Sequence, residues 1–112
     1  VSKAKATYNQ LEADERSTRD SIIVTLQQYW VALQDALETV QVQSKSLEAA
    51  EERSKIAEAQ YSTGFITFDN WIIIENDLVA AKKAYLNALG NALLAEANWI
   101  YAKGETLEYA QK

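Results

Sequence analysis

Ala59-Gln60-Tyr61-Ser62-Thr63-Gly64-Phe65-Ile66-Thr67-Phe68-Asp69 is the stretch that decides how this chain folds. Upstream of it, from Lys3 to about Tyr61, there is neither Pro nor Gly, and nothing in the sequence stops a helix. Gly64 supplies the residue a helix C-terminus favours, because it enters the left-handed conformation without a Cβ clash. Three residues later Thr67 offers a hydroxyl as N-cap, and Asp69 places a negative charge in the first turn, at the positive end of the helix dipole. A stop and a start this close force the chain to reverse. The spacing predicts an all-α fold, a long antiparallel helical hairpin with a helix over about 3–61, a tip at 62–67 and a helix over about 68–110.

Working outward, the first helix carries Ile23, Leu26, Trp30, Leu33, Leu37 and Val40 at a period of about 3.5 residues, the spacing of a seam against a partner helix. Continued, the register reaches Ser44, Leu47 and Glu51, so the seam is expected to weaken towards the turn, where Ala49, Ala50, Ala57 and Ala59 allow close approach. The opening segment, Lys3 to Asp20, is more polar. The second helix has two apolar series: Ile72, Val79, Leu86, Leu93, Ile100, Leu107, and Trp71, Leu78, Tyr85, Ala92, Trp99, the latter extended by Ile74, Ala81, Ala88, Ala95 and Ala102. Two stripes imply two neighbours, and a hairpin supplies one. Asn76, Lys83, Asn87, Gly90, Asn91 and Asn98 form a mainly polar row apart from them. Trp30, Trp71 and Trp99 are expected to pack between helices rather than to line a ligand box.

Composition narrows the function classes. With no His and no Cys, the chain lacks the commonest general base, the commonest metal ligand and any thiolate nucleophile or disulfide. Its Ser residues have no imidazole to activate them, and Gly64 alone is not a phosphate cradle. No enzyme activity, cofactor or metal is therefore expected. A formal charge of −5, with Lys82-Lys83 as an isolated basic doublet, speaks against nucleic acid as a partner. Val1-Ser2-Lys3-Ala4 has neither an initiator Met nor an apolar signal core, and the chain reads as an excision from a larger protein.

The residues at the break resemble the periplasmic tip of TolC-like outer-membrane efflux proteins. In that family a long helix ends in Tyr-x-x-Gly, matched by Tyr61 and Gly64, and a Ser or Thr with an acidic residue opens the returning helix, matched by Thr67 and Asp69. Asn76, Leu78, Ala81, Leu86, Ala88 and Ala95 fit the family's recurring Leu, Ala and amide positions. Ala102-Lys103-Gly104 resembles its terminal Ala-x-Gly, and Tyr29, Leu33 and Ala36 fit the run on the descending helix. Where the family has Gly-Leu-x-Ser, this chain has Gly64-Phe65-Ile66-Thr67.

The resemblance implies a periplasmic tunnel-wall segment, soluble in itself, of a trimeric channel whose parent sits in the outer membrane of a Gram-negative cell. Its tip would dock onto a periplasmic adaptor bound to an inner-membrane pump. Tyr61, Gly64, Phe65, Ile66, Thr67 and Asp69 would form that tip, with Phe65 and Ile66 both exposed and Tyr61 stacking within the hairpin. Asn76, Asn87, Asn91 and Asn98 would face the lumen. Two alternatives stay open: the hairpin of the adaptor itself, and a generic coiled-coil scaffold.

Overall fold

A computed structural model describes residues 2–111, with side chains described for 2–108. The chain forms two helices, α1 (Ser2–Ser62) and α2 (Phe68–Gln111), within a residue or so of the limits read from sequence. They run antiparallel. Ser54 pairs across the hairpin with Glu75, Arg53 with Asp77, Trp30 with Trp99 and Tyr61 with Phe68. In each of these pairs the two residue numbers total about 129 or 130, so the register holds along the rod.

The molecule measures 93 × 21 × 15 Å. A straight 61-residue helix at ~1.5 Å per residue spans about 92 Å, so α1 sets the length. The other two dimensions are those of two helices lying side by side in a single layer. With 44 residues, α2 is the shorter, and by the register its end stands level with about residue 18. Residues 2–17 of α1 therefore extend beyond α2, and every one is exposed.

The covered seam on α1 comprises Ile22, Leu26, Leu33, Ala36, Val40, Gln43, Leu47, Ala50, Ser54 and Ala57, all buried or half-buried. This corrects the sequence reading. Leu26, Leu33, Val40 and Leu47 were placed rightly, but the row beside them is 22–36–43–50–57 and not Ile23–Trp30–Leu37–Ser44–Glu51, all of which are exposed. Hydrophobicity favours the second row, whereas close approach favours the first. Small side chains at 36, 50 and 57 let the backbones come together, and Ala57 is 1% exposed. The seam consequently does not weaken towards the turn.

On α2 the inner stripe is the second series read from sequence: Trp71, Ile74, Leu78, Ala81, Tyr85, Ala88, Ala92, Ala95, Trp99 and Ala102 are all buried or half-buried. The other series, Ile72 to Leu107, is 36–67% exposed. One stripe is covered and one is not. Surface area makes the same point. The chain exposes 8747 Å², against about 6,200 Å² for a compact protein of this mass.

Candidate functional site

The tip is built by two caps. Gly64 has φ +81°, the left-handed conformation that only Gly adopts freely. Around it Phe65 N donates to Gln60 O at 2.8 Å and Gly64 N to Tyr61 O at 3.1 Å, a six-to-one and a five-to-two bond that together satisfy the last carbonyls of α1. The start of α2 is capped by Thr67, whose Oγ1 accepts from Asn70 N at 3.2 Å. Thr67 O takes the first helical bond, from Trp71 N, at 3.0 Å. Asp69 is exposed in the first turn of α2.

Phe65 and Ile66 part company here. Phe65 is 81% exposed. A C-terminal cap of this type is commonly backed by an apolar contact between the residue after Gly and one a turn earlier. In this chain the earlier positions hold Ala59 and Gln60, so Phe65 has nothing of its own to rest on. Ile66 is half-buried, which corrects the expectation that both would be exposed. It stands just before the N-cap and five residues before Trp71, the two positions of a hydrophobic staple, and Trp71 is half-buried as well.

Behind the turn lies an aromatic cluster. Tyr61 stacks on Trp71 with centroids 5.1 Å apart and planes within 8°. Phe68 tilts against both, at 6.0 Å from Tyr61 and 5.8 Å from Trp71. Tyr61 thus packs within the hairpin, as its position suggested. Such pairs contribute about 0.5–1.5 kcal/mol each beyond the area they bury. The Trp71 Nε1 is buried and has no hydrogen-bond partner among the described residues. One turn on, the Ser54 hydroxyl donates to the Glu75 carboxylate across the seam, and Arg53 lies 3.9 Å from Asp77. Phe68, Ser54 and Glu75 were not singled out from sequence. The available signal was that Ser54 and Glu75 both fall at or beside seam positions of the heptad, where an isolated polar pair sets the register.

Asn76, Asn87, Asn91 and Asn98 are all exposed. Counted at about 100° per residue, they share one flank of α2, whereas Lys82, Glu96 and Lys103 lie on the other. Farther from the tip, Trp30 and Trp99 pack at 5.2 Å and Lys103 Nζ sits 5.6 Å from the Trp99 ring. Tyr101 titrates above the ordinary phenol value, chiefly because Glu105 accepts its hydrogen bond and repels the phenolate. Among the described residues, no helix is long and apolar enough to cross a membrane, and no group of three or more His, Cys, Asp or Glu could hold a metal.

Fold and tip together define a class: an elongated α-helical hairpin with a doubly capped, apolar-ended turn. Comparisons with protein-family models, with curated proteins and with solved structures give no match.

Proposed function

We propose that this hairpin is a wall segment of an oligomeric outer-membrane export channel, and that its Gly64 turn docks onto a periplasmic adaptor coupled to an inner-membrane pump. The observation that carries the reading is Phe65: a large aromatic ring, 81% exposed, held out at the end of a 93 Å rod by a turn whose own hydrogen bonds do not need it. Exposed aromatic anchors on pre-formed backbone are what docking surfaces use, because little ordering entropy is lost on contact. The Tyr61–Gly64–Thr67–Asp69 pattern supports a channel tip in particular. The amides Asn76, Asn87, Asn91 and Asn98 share one exposed flank of α2 with Lys83 and Glu105 among them, which suits a water-filled lumen that passes varied cargo.

The test is a photo-crosslinker at position 65, introduced into the protein containing this chain as cells produce it. Crosslinks to a periplasmic adaptor are expected. Phe65→Asp should remove them and lower export, whereas Phe65→Leu should retain both. Because Ile66 is half-buried, Ile66→Asp would disturb the turn itself and is the poorer probe. Undiminished export by Phe65→Asp would end the docking claim.

A further inference from the structure

We infer that a cavity between α1 and α2, towards the end remote from the tip, binds a protonated organic amine whether or not the Gly64 turn docks. The apolar body of the ligand lies on the seam and its ammonium group at Glu105.

Short side chains make the cavity. At this height the seam of α2 is built from Ala102 and Thr106, and the edge of α1 beside it from Thr18, Ser21 and Thr25. None of them reaches far enough to close the groove, and a space of about 330 Å³ remains. Small-molecule sites occupy about 300–1,000 Å³, so this one suits a ligand at the small end of that range. Its floor is apolar. Ile22 and Leu26 are half-buried there, and Ala102 is 5% exposed.

The rim sets the chemistry of the ligand. Thr18, Thr25 and Thr106 donate their hydroxyl hydrogens to the carbonyls of Asp14, Ser21 and Ala102, each four residues back, at 2.9–3.0 Å. A hydroxyl engaged in this way has only oxygen lone pairs left to offer. Glu105 is the one ionised side chain on the rim, and no Lys or Arg is found among the described lining residues. Tyr101 donates to the Glu105 carboxylate and so orients it. With two oxygens and about four lone-pair sites, the carboxylate keeps room for further donors.

The cations that could neutralise Glu105 are occupied elsewhere. Lys103 sits over the Trp99 ring, and Arg16 and Arg19 pair with Glu12 and Glu15. No ion pair among the described residues involves Glu105. The cavity therefore presents acceptors and one uncompensated negative charge above a hydrocarbon floor. Its complement carries N–H donors, a positive charge and an apolar body. A neutral alcohol of the same shape meets the floor but leaves the charge unanswered, and a carboxylate is repelled. A metal ion would find a single carboxylate and an apolar floor, too few oxygen ligands to replace its water.

Nuclear magnetic resonance titration of this chain at neutral pH tests the inference with three ligands that share one body: 2-phenylethylammonium, 2-phenylethanol and 3-phenylpropionate. The ammonium should bind at about 1–10 mM, the range open to so small a ligand, and shift amide signals over residues 18–26 and 102–106. The alcohol should bind about fivefold more weakly, and the carboxylate not measurably. Glu105→Gln keeps the shape of the rim and should lower the affinity for the ammonium to that for the alcohol. Glu96→Gln removes the same charge from the other flank of α2 and should change nothing. The comparison separates a site from the attraction that any cation feels towards a chain of charge −5. Both glutamates are exposed, so both variants keep the hairpin. Equal affinity for ammonium and alcohol overturns the inference. So does a Glu96→Gln chain that loses as much as Glu105→Gln, a set of shifts centred outside the cavity, or no saturable shift below about 50 mM. Phe65→Asp should leave ammonium binding intact, so the loss of tip docking and the loss of this site are read separately.

Discussion

The two ends of the hairpin are made differently. At the tip, every device reaches across from one helix to the other or closes a helix end: the Gly64 cap, the Thr67 cap, the Tyr61–Phe68–Trp71 cluster and the Ser54–Glu75 bond. Towards the far end the hydrogen bonds and ion pairs are local. Thr7, Thr18 and Thr25 return their hydroxyls to carbonyls four residues back, and Arg16 and Arg19 pair with Glu12 and Glu15 on the same helix. Tyr8 and Leu11 are exposed there. The difference teaches where rigidity resides. The turn is held by contacts between the two helices, whereas residues 2–17 have only helix propensity and bonds within their own helix to hold them.

Breaking the tip should cost the most. Trp71→Ala removes the centre of the aromatic cluster and leaves a void at the seam, and is expected to lower stability by about 2–4 kcal/mol in urea unfolding. Tyr8→Ala at the opposite end should change it by less than about 0.5 kcal/mol. Equal values would erase the contrast between the ends. Glycine gives a sharper and smaller comparison. Gly64→Ala forces a Cβ into φ +81° and should destabilise by about 1 kcal/mol, whereas Gly104→Ala, inside α2 and in open space, should stabilise by up to about 1 kcal/mol. Thermal midpoints moving in the same direction for both would remove the cap argument. The smallest effect is electrostatic. The Arg16–Glu12 and Arg19–Glu15 pairs are exposed, so 1 M salt should weaken each by about 0.3–0.5 kcal/mol. Carbon chemical shifts should then report lower helicity over 2–20 and none lost at the tip.

Much of the fold could be read from sequence because the decisive residues act locally. Gly64, Thr67 and Asp69 mark an end and a beginning by their own chemistry, and the structure puts both within a residue of where they were read. The double stripe of α2 was equally legible from its heptad spacing, though not which of the two α1 covers. The seam of α1 was not. Trp30 and Leu37 are larger than Ala36 and Ala50, and a reading that weighs hydrophobicity assigns the larger row to the interior. Which row goes inside depends on how closely the partner backbone approaches, and that is a property of both helices together. The same limit applied at the tip. Phe65 and Ile66 look alike as residues, but only Ile66 stands where the staple to Trp71 can use it. Ser54 and Glu75 are unremarkable polar residues until the hairpin register sets them opposite each other.

Trp71 has a consequence for measurement. Its indole N–H is buried with no hydrogen-bond partner among the described residues, whereas Trp30 is 47% exposed. The two should therefore emit at different wavelengths, Trp71 towards the blue and Trp30 towards the red. With Trp30 and Trp99 replaced by Phe, the remaining tryptophan emission, excited above the tyrosine absorption, would come from a single ring six residues from Phe65. Such a variant reports, without any added dye, when something settles on the end of the rod.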